Sequence, residues 1–174
     1  MKIINIFLTI FISTNLLALS IGEKQKEVSI EAENGGFVKD GSKWSSLSIK
    51  DKVIVLFYVD PDEKDTNSHF TKILKEQKYN KDKFGTIAIV NLAATWKPNF
   101  IIESLLKSKQ EEFPRTIYVK DKASVLVNEW SLKDDSSEIL LFSKDSKLLF
   151  YHSGKMSDEN IQDILKLIES NIFL

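Results

Sequence analysis

The sequence predicts an α/β domain, a mixed central β-sheet with helices on both faces, preceded by a strand-rich N-terminal extension. Three observations predict it. The run Val53-Ile54-Val55-Leu56-Phe57-Tyr58-Val59 is continuously apolar and β-rich, as a strand covered on both faces must be. Stretches with helical apolar spacing then alternate with further extended runs. The last segment carries Ile161, Ile164, Leu165 and Ile168 as one stripe behind Ser157, an N-cap residue followed by the acidic pair Asp158 and Glu159.

The elements follow in order. Residues 21–52 form the extension, in which Val28-Ser29-Ile30 alternates like a strand and Gly35-Gly36 and Asp40-Gly41 read as turns. Trp44, Leu47 and Ile49 are expected to anchor it in the core. Asp60-Pro61-Asp62-Glu63 ends the first core strand. A helix is expected over 66–79, with Phe70, Ile73 and Leu74 on one face. A second buried strand spans 85–90, a loop 91–98, and a second helix 99–109 with Ile101, Ile102, Leu105 and Leu106 inward. Pro114 opens an extended stretch at Thr116-Ile117-Tyr118-Val119, and Val125-Leu126-Val127 reads as its continuation after a turn. Residues 138–143 and 147–152 form a hairpin. The order is β-α-β-α-β-β-β-α.

The N-terminus is a separate object. Lys2, an apolar run over residues 3–17, and then Ala18-Leu19-Ser20 have the layout of a cleavable secretory signal. Asn5, Thr9, Ser13, Thr14 and Asn15 interrupt the run, and a membrane-spanning helix wants about 20 predominantly apolar residues. The expectation is a signal peptide over 1–20, one domain over 21–174, a periplasmic location and no membrane attachment after processing. The chain has 24 Lys and Arg against 25 Asp and Glu, so no basic excess exists to hold a polyphosphate backbone and no nucleic-acid partner is expected. It has no cysteine. The thiolate is the nucleophile of thiol–disulfide exchange, so that chemistry is excluded whatever the compartment.

Three stretches resemble the thioredoxin-like fold, closest to its peroxiredoxin and thiol-reductase branch: Lys52 through Asp60, Phe113 through Asp121, and Glu138 through Lys147. A narrower resemblance spans nearly all of 21–174. Ile21-Gly22, Trp44, Ile89-Val90-Asn91, Glu129-Trp130-Ser131-Leu132 and Asp134-Asp135-Ser136-Ser137 look like the YtfJ family, exported bacterial proteins of that fold which lack the redox pair. The resemblance implies a redox-inactive protein. The redox cysteines of the fold would lie where Asp60-Pro61-Asp62-Glu63 stands, and the companion proline where Ser136-Ser137 stands. The label of transcriptional regulator that the family sometimes carries has no support in a near-neutral chain without a helix-turn-helix pattern.

At that vacated position Asp60, Pro61, Asp62, Glu63, Trp96, Ser136 and Ser137 are the candidates for a residual groove that recognises a protein or peptide of the cell envelope. The alternative is a metal-assisted enzyme built on the acidic turn, with Asp60, Asp62, Asp65 and His69 as weak ligand candidates, because hard cations take several carboxylate oxygens. Acidic residues ahead of a helix N-terminus serve its dipole equally well. His69 could pair with Asp65, four residues before it. Ser136 and Ser137 lie in no Gly-x-Ser-x-Gly elbow. No catalytic residue and no cofactor are expected.

Overall fold

A computed structural model describes residues 19–173. The predicted signal peptide therefore lies almost wholly outside the described residues. The extension contributes β1 (Ser29–Ile30), β2 (Gly35–Phe37) and β3 (Trp44–Ser45). There follow β4 (Val53–Val59), α1 (Ser68–Glu76), β5 (Phe84–Asn91), α2 (Asn99–Glu112), β6 (Thr116–Asp121), α3 (Val125–Trp130), β7 (Ser137–Phe142), β8 (Leu148–Ser153) and α4 (Asp158–Ile172). Six strands form one sheet in the order β2-β6-β5-β4-β7-β8, while β1 and β3 pair apart from it. The β4–β5 and β5–β6 pairs are parallel; β4–β7, β7–β8 and β2–β6 are antiparallel. The mixed α/β sheet is thus as predicted.

Strand β4 lies at the middle of the sheet and sends alternate side chains to opposite faces. Ile54, Leu56 and Tyr58 pack with Ile87, Ile89, Leu140 and Phe142 under α3 and the extension, whose Val28, Ile30, Trp44 and Ile49 cover that face. Val53, Val55 and Phe57 face α1 and α4, against Phe70, Leu74, Ile161, Ile164 and Ile168. This two-sided burial explains the unbroken apolar run. The last helix starts as its sequence indicates: the Ser157 side chain accepts from the Asn160 N–H, and Asn160 reciprocates.

The structure corrects five expectations. Val125-Leu126-Val127 is not a strand; it begins α3, where the Asp121 carboxylate takes the N–H groups of Val125 (2.9 Å) and Leu126 (3.2 Å). Gly35-Gly36 is not a turn but the start of edge strand β2, opposite Asp121 and Lys120. In α2 only Ile102 and Leu106 are buried, and Ile101 and Leu105 lie outward. Four adjacent apolar positions offer two stripes about 100° apart, and the sheet covers only one. Leu47 is exposed, while Trp44 and Ile49 are buried. The first helix is also shorter than 66–79.

Candidate functional site

The vacated redox position lies where β4 ends and β7 begins. These neighbouring antiparallel strands pair Val59 with Ser137, and the Asp60 N–H donates to the Ser136 carbonyl at 3.0 Å. Asp60, Pro61, Ser136 and Ser137 are therefore brought together, as the sequence suggested. They do not line an open groove. All four are buried, and Asp60, Ser136 and Ser137 are hydrogen-bonded to their own surroundings. The Asp60 side chain caps a single 3-10 turn, Pro61–Glu63, by accepting from the Asp62 N–H at 2.8 Å. Ser136 Oγ lies 3.3 Å from Ser153 Oγ, and Ser137 Oγ accepts from Asn67 Nδ2 at 3.0 Å. Asn67, itself buried, also donates to the Gly154 carbonyl and accepts from the Met156 N–H. It ties the start of α1 to the far end of the hairpin.

The outer part of the acidic turn reaches sideways. Asp62 accepts from Thr95 Oγ1 at 2.7 Å and from Lys97 Nζ. These two bonds pin both neighbours of Trp96, which stands 87% exposed, with Phe100 73% exposed just beyond it. Trp96 is thus held out on a fastened loop, while Trp130 is buried, its indole N–H on the Lys26 carbonyl at 2.8 Å.

Electrostatics separate the two inner carboxylates. Burial raises the Asp60 carboxyl above the ordinary carboxylate range, and the charges of Asp62, Asp135 and Glu63 push the same way, against the Asp62 N–H bond. The bonds from Lys97 and then Thr95 hold Asp62 below that range. A raised acid binds more protons folded than unfolded, so ionised Asp60 opposes folding at neutral pH, and that penalty fades as pH falls to the unfolded aspartate value of about 3.9. Asp60→Asn keeps a cap acceptor. It is expected to stabilise the fold at pH 7.5 and to give less or nothing at pH 3.5, measured by urea unfolding at both. A larger gain at the lower pH contradicts this account.

The metal candidates are drawn apart. Asp65 pairs with Lys64, Asp62 with Lys97, and His69 Nε2 meets the Met156 carbonyl at 3.0 Å rather than Asp65. Among the described residues no three His, Asp or Glu side chains form a ligand set.

Sequence reasoning missed a row of buried polar groups on the α3 face of the same sheet end. Tyr58 OH donates to Asp121 Oδ2 at 3.1 Å. Asn91, opposite Asp121 on β5, donates to Asp134 at 2.6 Å and accepts from Ser124 Oγ at 3.1 Å. Glu138, opposite Tyr58 on β7, is buried with Ser153 Oγ at 2.6 Å and the Tyr151 hydroxyl as donors. Burial and then Asp121 raise the Tyr58 hydroxyl; burial and then the Glu138 bond raise that of Tyr151. Polar residues ending apolar strands were the available signal, but only strand register shows that they meet.

This geometry defines a thioredoxin-like protein without a thiol site. Among solved structures, the exposed lipoprotein thioredoxin Etrx1 of Streptococcus pneumoniae aligns with TM-score 0.56 over 82% of this chain and 99% of that one at 16% identity. A thiol-disulfide isomerase of Corynebacterium glutamicum aligns with TM-score 0.55 over 88% and 96% at 14% identity. Likeness at this identity establishes the fold. The chain belongs to the YtfJ family, described as bacterial protein of unknown function (YtfJ_HI0045), which it matches over residues 14–171. An uncharacterized protein of Haemophilus influenzae is 30% identical over 129 residues, 72% of this chain and 70% of that protein. The uncharacterized protein YtfJ of Escherichia coli K12 is 25% identical over the same share of each.

Proposed function

We propose that this redox-inactive thioredoxin-like protein is exported to the periplasm and acts there as a binding module, holding a segment of an envelope protein against the end of the sheet where β4 stops and β7 starts. One observation carries the reading: Trp96 is an exposed aromatic on a loop fastened by Asp62. Tryptophan is enriched among binding hot spots, and a loop already held in place loses little conformational freedom on binding. The inner residues, Asp60, Ser136 and Ser137, are too buried to meet a partner. A signal-like N-terminus supports the location.

The test uses the periplasmic fraction released by osmotic shock. N-terminal sequencing is expected to place the start of the chain near Ile21. A partner co-purified with the wild type is expected to be lost at least tenfold with Trp96→Ala and kept with His152→Ala, because His152 lies on edge strand β8. A partner retained equally by all three, or a chain recovered unprocessed from the cytosol, overturns the proposal.

A further inference from the structure

The near-zero net charge hides a separation of charge that the fold creates. The end of the sheet described above gathers Asp60, Asp62, Glu63, Asp134 and Asp135. The opposite end, where β4 begins, gathers cations. The connection from α1 to β5 supplies Lys78, Lys81 and Lys83, all exposed; exposed Arg115 precedes β6, and Lys144 and Lys147 lie in the β7–β8 turn. Backbone bonds show that these segments adjoin. Val53 N–H donates to the Lys83 carbonyl at 2.9 Å, and Asp51 N–H to the Lys144 carbonyl at 2.9 Å.

The cations at this end are not matched to carboxylates. Lys52 Nζ bonds the Lys81 carbonyl (2.7 Å), Lys83 Nζ the Ile172 carbonyl (3.1 Å) and Arg115 the Tyr79 carbonyl (3.1 Å). Asp51, Asp82, Asp145 and Glu169 share the region, yet none forms an ion pair with them among the described residues; the ion pairs found there lie elsewhere. Beside Lys78 and Lys83, Phe173 projects 82% exposed at the rim of a shallow depression of about 500 Å³ that Tyr79 and Ile172 also line. Gly22 N–H bonds the Leu148 carbonyl, and Lys24 bridges Lys147 at this same end.

We propose that this end docks on an anionic phospholipid surface. Unpaired lysines and an arginine supply the attraction to lipid phosphates, Phe173 supplies an aromatic wedge at headgroup depth, and the acidic end, with Trp96, is turned away from the bilayer. Charge complementarity selects the partner.

Vesicle co-sedimentation tests it with the chain from Ile21, which contains every strand and helix described. Binding is expected to vesicles containing phosphatidylglycerol and to fall steeply between 0.05 and 0.5 M salt, within roughly 8 Å of screening at physiological strength. Each cation near the surface is worth about fivefold in binding, so Lys78→Gln with Lys81→Gln and Lys83→Gln is expected to lose about a hundredfold. Phe173→Ser should weaken binding, and Asp135→Asn should not. All these positions are exposed, and a thermal melt checks that each variant folds. Equal binding to phosphatidylcholine vesicles, no binding to either, or binding to duplex DNA as tight as to the anionic vesicles overturns the proposal.

Discussion

Asp121→Ala is expected to destabilise the fold by about 3–5 kcal/mol in urea unfolding, since hydrogen bonds to a buried charged group are worth about 1.5–3 kcal/mol each and do not add fully. The carboxylate is fully buried at the end of β6 and takes the N–H groups of Ala123, Val125 and Leu126 and the hydroxyl of Tyr58. Alanine leaves three amides and a buried hydroxyl without partners. It also removes the reason why 125–130 is helical: Ser124, ahead of it, has positive φ and gives no side-chain cap, so the acceptor four residues back starts the helix. Asp121→Asn retains two acceptor bonds and is expected to lose about half as much. A loss below about 1 kcal/mol for alanine would show that the row of polar groups is not what holds α3.

Gly35→Ala is expected to cost about 3 kcal/mol or more through an effect confined to one edge of the molecule. Gly35 has φ +124, and a Cβ there would lie 2.0 Å from the Lys120 carbonyl oxygen. Backbone at both sides of the contact cannot yield without opening the β2–β6 pairing. Hydrogen exchange is expected to show faster amides at Val38 and Lys122, which bond across this edge, with the β4 amides still protected. Gly154→Ala separates the causes: φ is +87 there but nothing lies within 4 Å, so only the conformational penalty of about 1 kcal/mol remains. Equal losses at the two glycines contradict the steric account.

The sequence displays its fold where burial leaves a periodic trace. The run at β4, the stripe of α4 and the Ser157 cap are local patterns, and each is found where it was expected. The misreadings have a common origin in contacts that periodicity cannot show. Val125-Leu126-Val127 carries strand-like composition and turns helical because of a carboxylate four residues back. Ile101 and Leu105 look as apolar as Ile102 and Leu106, and the sheet alone decides which pair is covered. At the site, the adjacency of Asp60 to Ser136 was legible only through the resemblance to the thioredoxin-like fold. Its closure was not, because it depends on Asn67 reaching Ser137 and Gly154. Trp96 could be placed in a loop but not declared exposed until the bonds of Asp62 were known.

The position of β4 bears on how the chain acquires its structure in time. Its parallel partner β5 follows within a few dozen residues, but its other neighbour, β7, pairs Phe142 with Ile54 from the far side of α2, β6 and α3. Closing so long a loop is entropically unfavourable before the pairing rewards it, and non-local pairing of this kind slows folding. A ribosome delivering the chain from its N-terminus releases the most apolar strand long before the strand that shields its second edge. Until Phe142 emerges, the nascent protein remains an open, half-built sheet. That delay makes it the stage at which a chaperone would be needed most.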